Sequence, residues 1–503
     1  MRVLLIHPPD TNSIRYFGSP FYSLAGKKQH PLSLLYIATY LRLKSGIDVR
    51  VLDFPEGVSD SDYLKATREV VQSFRPDIVG ITLYTLSLYD SYQIAKLVKS
   101  ENRDVFVVAG GIHSSLYPYE ILSQDFIDAL IVGESEIAFH NLVENFRTDK
   151  MFQIKGLWIK KDGQIYSNGN SDIILDLDSI PFPDRSLVLN SFYSNLYAGA
   201  NEVITIASRG CPYSCSYCQL ARRNYRIRSP KNIVDEIEYL VDMGYNFISF
   251  ADDTMNVNIN HTKDLCREII KRNLKINWSF RGVAKTLDEE SVELMKESGC
   301  KIMFLGAESG SDNVLRSLKR AVKTDDVRRA VFLARRYGIK VALYFVIGFP
   351  NETERDIQDT IDFCISVKPN YAQANIFVPT PGSELYSLLV RSGFKDWCKD
   401  FTLSPKKDFE FPFFEKNFSK KKLQKLQRKF YRKFYLRPTF LLSEIFSRIF
   451  LIGRNLFAVR AKRNGAVIGR NSIVSMNFSV VSGFIKFAFQ FVLWIILGKN
   501  PSK

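Results

Sequence analysis

Short apolar runs rich in β-branched residues recur through the first third of the chain, at Val3 to Ile6, Val49 to Leu52, Ile78 to Ile81, Val105 to Val108 and Leu130 to Val132. Stretches with helical periodicity separate them, so strand and helix alternate. This alternation predicts an α/β fold built on a doubly wound parallel sheet. A second series of six strand-like segments follows, near 203–208, 246–252, 277–281, 301–306, 341–347 and 371–377, each leading into a helical stretch. Six βα units predict a partial (β/α)6, TIM-like barrel whose chemistry sits at strand C-termini. Between the two series, residues 147–200 read as a connector ending in Ile180-Pro181-Phe182-Pro183-Asp184. Its two prolines disfavour helix and predict an extended crossing. The expected organisation is an N-terminal sheet over 1–146, this connector, a barrel over 201–400 and a helical region over 401–503.

The last region changes character. Lys406, Lys407, Lys420, Lys421, Lys422, Lys425, Arg428, Lys429, Arg432 and Lys433 crowd together, and they carry much of the formal charge of +16. Apolar stretches follow at Phe440 to Val459 and Phe478 to Gly498. The second approaches the length of a membrane span, but Lys486 and Gln490 share one helical face with Ser479 and Ser482, which favours a helix lying in the membrane plane. Flanking cations would attract anionic headgroups. The expected location is therefore cytoplasmic and peripheral on a membrane surface, with a lipid-like substrate as a corollary. No RNA-binding fold is readable in these basic helices, so no nucleic acid partner is expected. With 46% hydrophobic and 24% charged residues, the chain reads as globular rather than disordered.

Seven cysteines occur in 503 residues, and none precedes Cys211. Three of them stand in Cys211-Pro212-Tyr213-Ser214-Cys215-Ser216-Tyr217-Cys218, directly after the first barrel strand. Thiolate is the ligand that iron–sulfur clusters need, and three thiolates can hold three irons of a [4Fe–4S] cluster with the fourth left open. A zinc site would want a fourth Cys or His close by, whereas Cys266 and His261 lie a whole βα unit away. An odd cysteine count without a secretory signal before the first strand argues against a disulfide framework. Cys266, Cys300, Cys364 and Cys398 are scattered among apolar positions and read as core or surface residues.

This CxxxCxxC run after a strand resembles the radical SAM superfamily. The phrases Pro31-Leu32-Ser33-Leu34-Leu35, Asp48-Val49-Arg50-Val51-Leu52-Asp53, Pro76-Asp77-Ile78-Val79-Gly80-Ile81-Thr82, Ala109-Gly110-Gly111-Ile112-His113 and Val132-Gly133-Glu134-Ser135-Glu136 resemble the flavodoxin-like, cobalamin-binding domain that precedes many radical SAM cores. Together the matches cover about residues 1 to 400 of a class B, cobalamin-dependent radical SAM enzyme. The resemblance implies a [4Fe–4S] cluster, S-adenosylmethionine and cobalamin as cofactors, and a flavodoxin- or ferredoxin-like electron donor. It implies cleavage of S-adenosylmethionine to a 5′-deoxyadenosyl radical and, most simply, methyl transfer to an unactivated carbon. Oxidative cyclisation and rearrangement occur in the same family, and a non-catalytic corrinoid sensor is the alternative from another class. A methylthiotransferase would want three further cysteines in the N-terminal domain, where there are none.

Residue by residue, the resemblance places Tyr217 near adenine and gives Asp252 and Asp253 the methionine ammonium group. Arg281 pairs with the cofactor carboxylate, Glu308 contacts the ribose or amino-acid portion, and Ile347 and Gly348 contact adenine. Thr82, Thr85, Gly110, Gly111, His113, Gly133 and Glu134 fall at the sheet edge where cobalamin is expected, although glycines there also make ordinary turns. One departure stands out. The DxHxxG motif that supplies a histidine to cobalt elsewhere is absent, since the chain reads Asp10-Thr11-Asn12-Ser13-Ile14-Arg15, and cobalamin is expected without a histidine lower ligand.

Overall fold

The five N-terminal apolar runs form strands β1 (Arg2–Ile6), β2 (Asp48–Leu52), β3 (Ile78–Thr82), β4 (Phe106–Gly110) and β5 (Ala129–Ile131) in a computed structural model that describes residues 1–9, 29–55, 57–188, 202–438 and 440. Their order is β2-β1-β3-β4-β5, all parallel. The strand order reverses between β1 and β3, and that switch point opens a crevice at the C-terminal edge of the sheet. Helices cover both faces. Leu34, Leu35, Ala38 and Leu41 of helix Leu32–Ser45 pack on one side, and Leu88, Tyr92, Ala95 and Val98 of helix Leu88–Glu101 on the other.

The stretch read as a connector contributes to the same sheet. Strands β6 (Leu157–Lys161) and β7 (Gln164–Ser167) form an antiparallel hairpin, and β6 pairs antiparallel with β5, so the sheet has seven strands and is mixed at one edge. The turn is Asp162-Gly163 with φ of 50° and 76°, the conformation that a two-residue hairpin turn demands. Residues 176–188 then run extended, with short single turns, through the prolines.

In the second half, β8 (Glu202–Thr205) leads to a two-stranded hairpin of β9 (Ser208–Arg209) and β10 (Arg226–Ile227). The barrel strands continue as β11 (Phe247–Phe250), β12 (Asn277–Gly282), β13 (Cys300–Glu308), β14 (Lys340–Ile347) and β15 (Tyr371–Ile376). Their order is β15-β14-β13-β12-β11-β8, every pairing parallel. This is the expected six-stranded partial barrel. Cys266, Cys300, Cys364 and Cys398 are fully buried, as their apolar surroundings predict.

Residues after 390 fold back on both halves. Trp397, Cys398 and Phe401 of helix Trp397–Leu403 join Phe411 in the core beneath the N-terminal sheet. Leu423, Leu426, Phe430 and Phe434 of helix Lys420–Tyr435 join the barrel core. The stretch Phe478 to Gly498, all of Phe440 to Val459 after its first residue, and the Asp10 to Arg15 phrase lie outside the described residues. Among the described residues no helix is long and apolar enough to cross a membrane.

Candidate active site

The cysteines lie in the loop between β9 and β10. Gly210 opens it at φ 84°, and a Cβ there would sit 2.2 Å from the Asn224 carbonyl oxygen, so the close approach of the two hairpin strands requires glycine. The Arg223 N–H donates to Cys211 O at 3.0 Å and the Arg222 N–H to Tyr213 O at 2.9 Å, which closes the loop. Cys211 Sγ lies 3.5 Å from Thr254 Oγ1, Cys215 Sγ accepts from the Arg320 guanidinium at 3.5 Å, and Cys218 Sγ accepts from the Leu220 N–H at 3.3 Å. Burial, with the added repulsion of Cys215 and Cys211, pushes the Cys218 thiol up to about 11. Three thiols in one another's field, two of them supplied with N–H donors, fit a cationic iron cluster, which deprotonates its thiol ligands. Among the described residues no three His, Cys, Asp or Glu side chains are arranged to hold a single ion. A cluster places each cysteine on its own iron and needs no such convergence.

The strand ends around this loop divide into two sets. Asp252 is buried, and its carboxylate accepts from the Ala207 N–H at 3.1 Å and the Ser208 hydroxyl at 2.5 Å. Burial still pushes it up to about 6. The carboxylate is thus spent on tying β11 to the start of the cysteine hairpin. Asp253 and Arg281 are exposed at the rim; partial desolvation by the surrounding protein raises the Asp253 carboxyl, and Arg223 and Arg281 oppose that shift.

Glu308 is the strained member. It ends β13 at φ 63°, beside a register shift, in a region that residues with a Cβ rarely adopt. Its Oε1 lies 3.7 Å from the Arg320 guanidinium, which also donates to the Gly306 carbonyl at 2.8 Å. A Cβ on Gly306 would fall 2.4 Å from Glu308 Oε1. Burial raises the Glu308 carboxyl, while Arg320 and a hydrogen bond from Tyr217 oppose the shift. Arg320 therefore bridges Cys215, Gly306 and Glu308. The sequence reading missed it, because an arginine between a short helix and a loop carries no local sign of burial. The Tyr217 ring meets Phe349 edge-on at 5.4 Å, just beyond Ile347 and Gly348. Ile347 is fully buried, and Gly348 has φ 91°.

At the crevice of the N-terminal sheet lies a cavity of about 360 Å³, lined by Leu5, Ile37, Thr82, Gly110, Gly111 and Arg209 among others. A Cβ on Gly110 would meet nothing nearer than 3.8 Å, so backbone is open to a ligand there. At Gly133 a Cβ would fall 2.4 Å from Ser171 Oγ, and at Gly111 it would fall 2.9 Å from Leu83 O. Those two glycines serve internal packing as much as any ligand. A largely apolar cavity with open backbone at a switch point fits the tail of a large planar cofactor such as cobalamin.

Two expected cobalamin contacts have other partners. His113 is fully buried, with Nδ1 3.0 Å from Thr85 Oγ1 and Nε2 3.0 Å from Thr402 Oγ1, and burial lowers its pKa to about 3. It ties the sheet to helix Trp397–Leu403, with Thr85 as its partner, and presents no nitrogen to a corrin. Glu134 lines the cavity and at the same time accepts from the Arg226 guanidinium at 2.5 Å and lies 3.6 Å from Arg209, which pairs with Glu136 at 2.6 Å. These ion pairs latch the cysteine hairpin onto the edge of the N-terminal sheet. The cavity and the cysteine loop consequently share Arg209, two residues before Cys211.

Comparison with known proteins agrees with this geometry. Residues 23–143 match the B12 binding domain and residues 205–364 the radical SAM superfamily. An uncharacterized methyltransferase of Pyrococcus horikoshii is 32% identical over 457 residues, covering 89% of this chain and 95% of its own. The anaerobic magnesium-protoporphyrin IX monomethyl ester cyclase of Rubrivivax gelatinosus is 30% identical over 404 residues, covering 77% of this chain and 70% of its own. Among solved structures, the radical S-adenosylmethionine methyltransferase TsrM of Kitasatospora setae, with cobalamin and a [4Fe–4S] cluster bound, shares the fold with a TM-score of 0.63 and 20% identity over 78% of this chain and 75% of that one. This chain belongs to the cobalamin-dependent radical SAM enzymes and uses a [4Fe–4S] cluster, S-adenosylmethionine and cobalamin.

Proposed function

We propose that this enzyme transfers a methyl group to an unactivated carbon of a lipid-like substrate reached at a membrane surface. The latch of Glu134 and Glu136 on Arg226 and Arg209, which sets the cavity of the N-terminal sheet beside the cysteine loop, supports chemistry shared between the two cofactor regions, and similarity to a methyltransferase along 89% of the chain favours methyl transfer. When bound, the three cofactors supply a one-electron reductant, a route to a carbon radical and a methyl donor. Cys211, Cys215 and Cys218 hold the iron cluster. Glu308, fixed by Arg320 and the Tyr217 hydroxyl, would hold the polar part of S-adenosylmethionine, and Tyr217, Ile347 and Gly348 would hold its adenine. Asp253 and Arg281 stand at the rim for its amino-acid end, and Asp252 holds the loop from behind. Thr82, Gly110 and Gly111 line the cobalamin cavity.

The lipid-like substrate rests on the basic region. Lys420, Lys422 and Lys433 pair with Glu410, Glu354 and Asp362. Lys421, Lys425, Arg428 and Arg432 form no ion pair among the described residues and recur as one stripe suited to anionic headgroups.

One experiment tests both parts. Anaerobically reconstituted protein should bind about four irons, and replacing Cys211, Cys215 and Cys218 with alanine should abolish both the iron and 5′-deoxyadenosine formation. With methyl-labelled S-adenosylmethionine and a membrane lipid extract, S-adenosylhomocysteine and 5′-deoxyadenosine should appear together with label in a lipid. 5′-Deoxyadenosine without S-adenosylhomocysteine would make the enzyme a cyclase or rearrangement catalyst. Label entering only a water-soluble extract would remove the lipid.

A further inference from the structure

Radical SAM chemistry consumes an external electron, and the fold has to present its cluster to whatever delivers it. Three segments converge on the outer side of the cysteine loop. Arg222 and Arg223 are exposed, and their backbone N–H groups donate to Tyr213 O and Cys211 O. Ser216, next to Cys215, is buried; its N–H donates to Leu318 O at 3.0 Å and its carbonyl accepts from the Leu385 N–H at 2.7 Å. Helix Glu384–Arg391 and the Leu318–Lys319 turn are therefore one hydrogen bond from the cysteine loop.

The side chains of these segments form a cationic patch around Glu384, next to an exposed leucine. Glu384 pairs with Lys319 and, at 3.8 Å, with Arg222, and Arg391 acts on the same carboxylate. Three cations on one anion leave a positive excess. Glu384, Leu388 and Arg391 stand at i, i+4 and i+7 and so share a helix face, and Leu388 is 43% exposed. An exposed leucine beside a patch of arginine and lysine has the composition of a docking site for an acidic partner.

We propose that this face, formed by Leu388 with Arg222, Lys319 and Arg391, docks an acidic flavodoxin-class electron donor. The step it serves is balanced: the anionic flavin hydroquinone loses one electron and becomes the neutral semiquinone, the cluster gains that electron, and no proton or atom moves. The hydrogen bond from Leu385 to Ser216, next to Cys215, gives a short bonded route from the surface to the cluster.

The inference rests on the radical SAM assignment, and its test separates the two. Full-length reconstituted protein is titrated with a purified flavodoxin, and binding is measured at low and high salt. Arg222→Gln/Lys319→Gln/Arg391→Gln should weaken binding by about tenfold or more and flatten its salt dependence. Flavodoxin-driven 5′-deoxyadenosine formation should fall in parallel, while iron content and dithionite-driven formation stay at parental levels. Leu388→Asp, which breaks no ion pair, should weaken binding in the same direction and keeps the test valid if the triple variant loses iron. Lys421→Gln/Lys425→Gln/Arg432→Gln removes the same charge elsewhere and should bind like the parent. Parental affinity in both patch variants, or an equal loss in the control, overturns the docking site. Absence of 5′-deoxyadenosine from the parent with dithionite would instead overturn the radical SAM assignment.

Discussion

Glu352 shows what a single buried carboxyl does to this barrel. It stands four residues after Gly348, is buried, and accepts from the Gly348 and Phe349 N–H groups, which shapes the turn beneath Tyr217. Its other oxygen has no hydrogen-bond partner among the described residues. Burial pushes its pKa from 4.5 to about 8, and the two N–H donors only partly oppose this. A folded pKa above the unfolded one means that the folded state holds the proton more tightly. The stability this contributes is complete below about pH 4.5 and is lost as pH rises through about 8, by up to a few kcal/mol. Glu352→Gln keeps the acceptor and removes the titration. It should match the parent in urea midpoint near pH 4.5 and exceed it by a margin that grows until about pH 8; parallel pH profiles would show that the carboxyl does not titrate in that range. At this scale the sequence exposes only what is local. The cysteine triad is legible because its chemistry depends on spacing, whereas Arg320 and Glu352 act through contacts made by distant segments. Asp252 and His113 were legible as polar groups at strand ends, but their direction, inward to Ser208 and Thr402, was not.

Edges and helices show a similar division between elements. All eleven strands expected from apolar runs are present, because a parallel strand buried on both faces writes a continuous apolar signature. The β6–β7 hairpin was missed although Asp162-Gly163 between alternating residues is a strong hairpin signal, because the whole stretch was read through its prolines as a crossing. Helix Lys420–Tyr435 was read by its cations, but its aromatic face performs a structural task. Strand β15 is an edge strand, with backbone groups that need partners. Gln427, Tyr431 and Tyr435, at i, i+4 and i+8, supply them. The Tyr435 hydroxyl accepts from Ala372 N–H at 3.0 Å and donates to Ala372 O at 2.7 Å, the Tyr431 hydroxyl accepts from Ala374 N–H at 3.2 Å, and the Gln427 amide donates to Ala374 O at 2.8 Å. Tyr435→Phe leaves both buried groups of Ala372 unsatisfied and should cost about 2 kcal/mol, with Tyr431→Phe nearer 1 kcal/mol because Gln427 still serves Ala374 O. Urea denaturation gives the energies, and faster amide exchange at Ala372 and Ala374 in the respective variants would locate them. Unchanged exchange would mean that the strand edge is protected by something other than the tyrosines.

Across the whole molecule, the parallel strands of the two sheets turn their C-terminal ends toward a shared crevice, and charge holds that arrangement. Arg209 and Arg226 belong to the cysteine hairpin and Glu134 and Glu136 to the N-terminal sheet edge, with every one of the four side chains less than one-fifth exposed. Desolvated charges of this kind are costly when one partner is removed, because the other is left buried and unpaired. Glu134→Ala should therefore destabilise by about 2–3 kcal/mol and Arg226→Ala by a similar amount, while the double variant should lose clearly less than their sum. The same pair decides between two roles for Glu134, as a direct cobalamin contact or as part of the latch that positions Arg209 at the cavity wall. If Glu134 acts through the latch, Glu134→Ala and Arg226→Ala should weaken hydroxocobalamin retention equally, since either one frees the hairpin from the sheet. Retention that falls sharply in Glu134→Ala and stays near parental in Arg226→Ala would return Glu134 to the corrin itself. Equal stability losses with unchanged retention in both would mean that the latch fixes the two halves without shaping the cofactor site.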